Sequence, residues 1–190
     1  MDSTNGFLAM SQTSAATALL QTGGRTEKHI RTANPSLNGT GTRVTGFDVA
    51  TLDLAEATRS IIETSKQRRD RPLYFTSING EVVARADRDE SFAELFRSAD
   101  QIFVDGQPLV MASRILCRTP IPERVATTNL FPAAARTAER TGTTFYMLGA
   151  DPDEIEKAVS NVRKAYPRLR IFGHSHGYLG YVSYEVAPAR

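Results

Sequence analysis

Asp105 is the residue of this chain best placed for acid–base chemistry. It directly follows the apolar run Ile102-Phe103-Val104 and precedes Gly106. A carboxylate at the end of a strand can act as a general base or hold a sugar hydroxyl. The same residue can also serve as a turn or cap aspartate for the following helix, because Asp-Gly is common in turns. The residues alone do not decide between these two interpretations.

A second polar group follows the earlier apolar run Leu73-Tyr74-Phe75. It consists of Thr76, Ser77 and Asn79, whose hydroxyl and amide groups can hydrogen-bond a sugar or a phosphate. They can equally cap the helix predicted to begin near Gly80. Side chains of these types often bond their own local backbone, so the local role is favoured.

Two further positions suit a phosphate. Gly149 and Ala150 form a small turn between an apolar run and a predicted helix, and a helix N-terminus attracts anions. The turn lacks the complete dinucleotide-binding pattern and the lysine of a P-loop. Arg124 lies in a proline-bounded loop and can form a bidentate contact with a phosphate. An ion pair between Arg124 and Glu123 or another acid is the ordinary alternative.

The remaining candidates are histidines and paired acids. His174 and His176 have a spacing that allows metal binding on a strand, but no acid or cysteine nearby in the sequence completes a site. We therefore favour polar loop residues over a diphosphate contact from one histidine, and that contact over a metal. The D-x-D triplets at 87–89 and 151–153 are interpreted as structural, because acids are ordinary in a first helical turn.

These side chains can meet only if the chain folds as an α/β protein. The two apolar runs 73–75 and 102–104 flank one or two amphipathic helical segments over 81–97, which predicts parallel strands. Because the carboxyl ends of parallel strands share one edge, the polar groups after them should line a common cleft. The sequence thus predicts a Rossmann-like, open, mainly parallel sheet with helices on both faces. Further predicted elements are a strand or hairpin arm over 44–49, helices over 51–69, 109–116, 129–140 and 153–166, and strands over 143–148 and 169–172. For the helix over 129–140, Thr128 or Asn129 is the predicted cap and Pro132 is placed in the first turn.

Composition sets the domain organisation. The chain has 190 residues, 41% of them hydrophobic, and a net charge of +2. Residues 1–42 are rich in Ser, Thr, Gly and Asn and are predicted to be a disordered tail, with a helical turn or two around Thr13 to Gln21. Residues 43–180 form the predicted α/β domain, and 181–190 are predicted to be an irregular tail. No basic run is interleaved with aromatic residues, which argues against a nucleic-acid partner.

The single cysteine, Cys117, excludes an internal disulfide and a cysteine-rich zinc site. We predict a buried structural thiol, which is consistent with a cytoplasmic location. No apolar run approaches the about 20 residues of a membrane span, so any membrane association is expected to be peripheral.

Four stretches stand in a characteristic order over about residues 43 to 180. They read FTSINGEVV, SADQIFVDGQPLVMASRIL, PIPERVATTNLFPA and FYMLGADPDEIEKAVSNVRKAYPRLRIFGHSHGYLG. In order and spacing they resemble the WecG/TagA/CpsF glycosyltransferases of bacterial polysaccharide and wall-polymer synthesis.

The resemblance implies inverting transfer of N-acetylmannosamine or a uronic acid from a UDP-linked donor to a polyprenyl-diphosphate-linked sugar, without a metal or another cofactor. It implies Asp105 as the base and Thr76 or Ser77 as a catalytic hydroxyl. Peripheral contact with the inner face of the membrane and a homo-oligomer are compatible with it. The substrate-binding residues that it implies are Asn79, Gly106, Arg124, Asn129, Gly149, Ala150, His176 and Tyr178.

Two departures from the family pattern are visible. The family's arginine loop reads RV-x-G-x-D, whereas this chain has Thr127 and Asn129 at the glycine and aspartate positions. The family also continues through a G-x-P-x-Q-E strand and a basic tail, which predicts that a chain ending at Arg190 is a truncated copy of low activity. Other classes consistent with the sequence are a non-catalytic nucleotide-diphosphate-binding module and an interaction protein without a ligand.

Overall fold

The computed structural model describes residues 41–178. The predicted C-terminal tail, nearly all of the predicted disordered N-terminal tail and the helical turns around Thr13 to Gln21 lie outside those residues. The described chain alternates strands and helices, so the predicted α/β class is confirmed. Its elements are β1 Gly41–Val44, β2 Phe47–Ala50, α1 Leu54–Ser65, β3 Phe75–Ile78, α2 Gly80–Ala86, α3 Glu90–Arg97, β4 Gln101–Val104, α4 Gln107–Leu116, α5 Thr127–Thr141, β5 Thr144–Leu148, α6 Pro152–Ala165 and β6 Arg170–Ser175.

Within residues 41–178 the strands pair as three two-stranded ladders. β1 and β2 form an antiparallel hairpin whose turn residues, Thr45 and Gly46, both have positive φ, at 48° and 86°. Such turns match the right-handed twist of paired strands. β3 pairs with β4, and β5 with β6, in parallel. The parallel arrangement of the two apolar runs at 73–75 and 102–104 is therefore confirmed.

Helices cover both faces of the β3–β4 pair, as predicted. Phe75 and Phe103 pack on one face against Ile61 of α1 and Leu130 of α5. On the opposite face, β3 and β4 pack against helices α2, α3 and α4 and against the hairpin; the buried residues there include Ile78, Ile102, Val104, Phe47, Phe92, Phe96 and Leu109. Because side chains alternate along a strand, one short strand supplies both cores.

Helix α1 connects the two parallel pairs. Ile61 belongs to the core beside β3 and β4, whereas the next residue, Ile62, packs with Phe145 of β5 and Leu169. Burying a side chain of this size contributes about 1.5–3 kcal/mol. Two successive residues of α1 thus pack the β3–β4 pair and the β5–β6 pair against the same helix.

The predicted start of α5 was wrong. The helix begins at Thr127 with Ala126 at the N-cap, so neither Thr128 nor Asn129 caps it. Leu130 N donates to Ala126 O over 2.8 Å, and buried Val125 and Ala126 fix the entry into the helix. Pro132 consequently lies inside the helix rather than in its first turn, where its missing N–H removes one helical hydrogen bond.

Cys117 is half-buried rather than fully buried. Its Sγ lies 3.7 Å from Arg43 O. The predicted burial was wrong because α4 ends at Leu116, and Cys117 follows as an extended residue at the helix C-terminus.

Two glycines offer a matched stability test. Gly142 ends α5 with φ 71°, a left-handed conformation that disfavours a side chain, whereas Gly80 opens α2 with open space around its Cα. We expect Gly142→Ala to lower the free energy of unfolding by about 1 kcal/mol and Gly80→Ala to leave it unchanged or raise it. Urea denaturation checks this. Equal effects of the two substitutions would contradict the assigned C-cap.

Candidate functional site

The ends of β3 and β4 lie side by side, as the sequence predicted. Asp105 N donates to Ile78 O over 2.8 Å. A Cβ built on Gly106 would lie 3.6 Å from the Cα of Asn79. We call the polar groups here, Ser77, Asn79, Asp105 and Gly106, the first corner.

The carboxylate of Asp105 does not cap the following helix. Gly106 occupies the N-cap position of α4, and no side chain caps that helix. Within residues 41–178 no N–H or O–H group donates to the half-buried Asp105 carboxylate. The helix dipole favours an anion just before its N-terminus. The structure therefore leaves the oxygens of this carboxylate available to a ligand, which a turn or cap role would not.

The β3–β4 register separates the two candidate hydroxyls. Ser77 pairs with Phe103, and Thr76 pairs with Ile102 on the opposite face. Because side chains alternate, Asp105 follows Phe103 on the Ser77 face. Both hydroxyl residues border a cavity of about 20 Å³ that Thr127 of α5 also lines. A cavity of that size holds about one water and is too small for a sugar ring.

Asn79 has the local role that the sequence favoured. Its Oδ1 accepts from Val82 N over 3.0 Å and caps α2. Its amide N–H2 group makes no hydrogen bond within residues 41–178, so capping leaves one end of the side chain for a ligand.

Arg124 is not paired with Glu123, so that alternative was wrong. The Glu123 carboxylate instead accepts from Leu54 N, over 2.6 Å, at the N-terminus of α1. The exposed Arg124 makes no ion pair with any described residue. Val125 N donates to Val104 O over 2.8 Å, which fixes the Arg124 loop against the end of β4. The loop that carries Arg124 thus adjoins the first corner, and the Arg124 side chain is free to bind an anion.

The ends of β5 and β6 form a second corner, made by Gly149, Ala150, His176 and Gly177. Gly149 N donates to Ser175 O over 3.1 Å, and Gly177 N donates to Ala150 O over 2.9 Å. A Cβ on Gly177 would lie 3.3 Å from the Cα of Gly149, so a side chain at position 177 would crowd this turn. The His176 Nδ1 is buried and has no hydrogen-bond partner among the described residues.

The sequence model described as "Glycosyl transferase WecG/TagA/CpsF family" matches residues 42–187. The chain belongs to this family. The match continues past residue 180, where the sequence analysis placed the end of the domain.

Curated relatives of this WecG/TagA/CpsF family member share one name, N-acetylglucosaminyldiphosphoundecaprenol N-acetyl-beta-D-mannosaminyltransferase. The Bacillus subtilis (strain 168) relative is 29% identical over 104 residues, which is 55% of this chain and 40% of the relative. The Staphylococcus aureus (strain NCTC 8325 / PS 47) relative is 25% identical over 136 residues, 72% of this chain and 53% of the relative. The chain thus spans about half the length of the curated relatives it matches.

Within the described part of this WecG/TagA/CpsF family member, residues 41–178, three helix N-termini carry no side-chain cap. They belong to α4, α5 and α6, whose N-cap residues are Gly106, Ala126 and Asp151. Side chains of Asp53, Asn79 and Asp89 cap α1, α2 and α3. Uncapped N-termini leave N–H groups and the positive end of the dipole for an anion.

The other predicted residues of this WecG/TagA/CpsF chain are dispersed. Asn129 is exposed in the first turn of α5, and Tyr178 is exposed after β6. His174 lies on β6 rather than in a loop, with its Nε2 2.8 Å from Glu156 Oε1. In the D-x-D triplet at 87–89, Asp89 caps α3, as the structural interpretation predicted. Across residues 41–178 no three His, Cys, Asp or Glu side chains are grouped to hold a metal.

Thr127 was not predicted as a site residue, and the sequence marked it only as a departure from the family's arginine loop. The hydrogen bond between Val125 and Val104 holds that loop against β4, and Thr127 lines the same cavity as Ser77. The described helices include none long and apolar enough to cross a bilayer.

Proposed function

We propose that this chain carries the catalytic site of an inverting glycosyltransferase. It moves an N-acetylmannosamine-type sugar, or a uronic acid, from a UDP-linked donor to a polyprenyl-diphosphate-linked sugar at the cytoplasmic side of the membrane. One observation carries the proposal: the Asp105 carboxylate stands unbonded at the first corner, next to the uncommitted Arg124. The family match and the acceptor in the relatives' name support it.

In the proposed reaction, Asp105 accepts the proton of the acceptor hydroxyl while that oxygen attacks the anomeric carbon of the donor. The new glycosidic bond forms as the bond from the anomeric carbon to the diphosphate oxygen breaks. Attack opposite the departing UDP inverts the anomeric centre. The hydroxyl of Ser77, on the Asp105 face of β3, orients the sugar.

The departing diphosphate needs compensating positive charge. Arg124 supplies a guanidinium, and the uncapped N-termini of α4, α5 and α6 supply backbone N–H groups. His176 at the second corner offers a ring nitrogen that has no partner within the described chain. We propose that these groups take the place of a metal. Addition of EDTA is then expected to leave transfer unchanged.

Arg124→Gln is expected to weaken UDP binding about 10- to 100-fold, since a hydrogen bond to a charged group contributes about 1.5–3 kcal/mol. The free energy of unfolding should change by less than about 0.5 kcal/mol, because Arg124 is exposed. Isothermal titration calorimetry measures UDP affinity, and urea denaturation measures the free energy of unfolding. Arg136→Gln, which removes an exposed charge from the middle of α5, is the control. Equal losses in the two variants would contradict a specific contact from Arg124.

The uridine preference separates this proposal from a general nucleotide-binding module. Calorimetry with UDP and with NAD should show binding of UDP alone. Tighter binding of NAD would contradict the proposal, and flat titrations with both would favour an interaction protein without a ligand.

A further inference from the structure

Helix α4 is apolar on nearly all sides. Leu109 and Val110 are buried in the core, yet Met111, Ile115 and Leu116 are exposed by 58%, 84% and 80%. A surface helix ordinarily turns a polar face outward, and one that is apolar all round is normally covered. Arg114 and Gln107 are the only charged or amide side chains on this helix.

The exposed apolar residues form a continuous surface. At 100° per residue, Met111, Ile115 and Pro108 project within one narrow arc, and Leu116 extends it in the last turn. We call these four residues the α4 face. Contiguous exposed apolar side chains of this kind mark an interaction surface, whereas isolated ones do not.

The charged side chains of α4 and of the loop that follows it, up to Pro122, are all positive. Arg114 on the helix and Arg118 just after it are exposed, and neither makes an ion pair with a described residue. No Asp or Glu occurs from Gly106 to Pro122. Apolar side chains with flanking arginines suit a bilayer interface. The apolar side chains enter the acyl region, and the arginines reach the lipid phosphates.

The α4 face is also continuous with the first corner. Helix α4 begins at Gln107, two residues after Asp105, and its ten residues span about 15 Å. A membrane touching this helix therefore lies within one helix length of the proposed base. The relatives' name describes an acceptor sugar linked to undecaprenol. That lipid anchor would hold the acceptor sugar about one helix length above the bilayer.

We propose that the α4 face docks this chain on an anionic membrane surface, with Ile115 and Leu116 inserted and Arg114 and Arg118 on lipid phosphates. The inference rests on the proposed function, because a lipid-linked acceptor places the first corner next to a bilayer. A second copy of the chain is the competing occupant.

Cosedimentation of the whole 190-residue chain with lipid vesicles tests the proposal. We expect binding to phosphatidylcholine vesicles that contain phosphatidylglycerol. The double variant I115S/L116S should bind the vesicles at least about tenfold more weakly, because two large apolar side chains are no longer transferred from water into the bilayer. The double variant R114Q/R118Q should lose about fivefold per arginine on anionic vesicles and little on neutral ones. Phe172→Ser, at a residue exposed by 72% on β6, is the control and should bind as the unaltered chain does.

Absence of vesicle binding, or equal losses in I115S/L116S and Phe172→Ser, would overturn the docking surface. Sedimentation equilibrium adds a second criterion. If the unaltered chain dimerises and I115S/L116S is monomeric, a second copy covers the α4 face and the membrane proposal is wrong. UDP calorimetry on I115S/L116S should match the unaltered chain, so failure of docking is distinguishable from failure of the nucleotide site.

Discussion

Asp105→Asn is expected to lower the rate of sugar transfer by about 10² to 10⁴-fold, the usual contribution of a general base. The amide keeps the shape of the side chain but cannot accept the proton of the acceptor hydroxyl. Because the Asp105 carboxylate accepts no hydrogen bond from any described residue, its loss should leave the free energy of unfolding nearly unchanged. A transfer assay with a UDP-sugar and a lipid-linked acceptor measures the rate, and urea denaturation measures stability.

UDP affinity distinguishes the alternatives for Asp105. The variant should bind UDP as tightly as the unaltered chain does, since the carboxylate acts on the acceptor and not on the nucleotide. Asp87→Asn, at an exposed acid after α2, is the control and should retain full activity. If Asp105→Asn unfolds the chain, the aspartate has a structural role. If the variant transfers sugar at the normal rate, Asp105 is not the base.

Arg71→Met is expected to cost on the order of 3 kcal/mol of unfolding free energy. Asp100, whose side chain is only 3% exposed, receives a bidentate contact from Arg71, with one bond of 2.8 Å, and a further 2.8 Å bond from Tyr74 N. The hydrogen bond to Asp100 raises the pKa of Arg71, so the guanidinium stays charged at every pH used for such measurements. The substitution removes that cation from a buried carboxylate and loosens the entry into β3.

An exposed ion pair provides the matched comparison. Arg43 and Asp48 approach to 3.7 Å with 70% and 60% of their side chains exposed. Arg43→Gln should therefore change the unfolding free energy by less than about 1 kcal/mol. Urea denaturation of both variants checks the contrast. A loss in Arg71→Met no larger than that in Arg43→Gln would mean that Asp100 does not depend on its guanidinium partner.

The sequence predicted the part of the fold that local patterns encode. Two short apolar runs around helical segments indicated the parallel pair of β3 and β4, and the acid after the second run was correctly placed at the strand end. The start of α5 was missed because a hydrogen bond between Val125 and Val104 sets it. Thr128 and Asn129 have good capping side chains, but they follow the start of the helix. Tertiary contacts outweigh their capping preference.

Long-range contacts that local sequence patterns do not show also decided the arrangement of the site. The sequence left Thr76 and Ser77 equivalent, and only the strand register put Ser77 on the face of Asp105. It also favoured an ion pair between Arg124 and Glu123. That pair is absent because Glu123 binds the N-terminus of α1, at a residue 69 positions earlier in the chain. Partners so far apart in sequence leave no local pattern to read.

In the proposed complex, one molecule of UDP contacts both corners and the Arg124 loop. NMR titration of the ¹⁵N-labelled chain with UDP tests it most directly. We predict that the amides of Gly106, Thr127, Gly149 and Gly177 shift together and give one dissociation constant. Shifts confined to a single corner, or to residues away from both, would contradict the account.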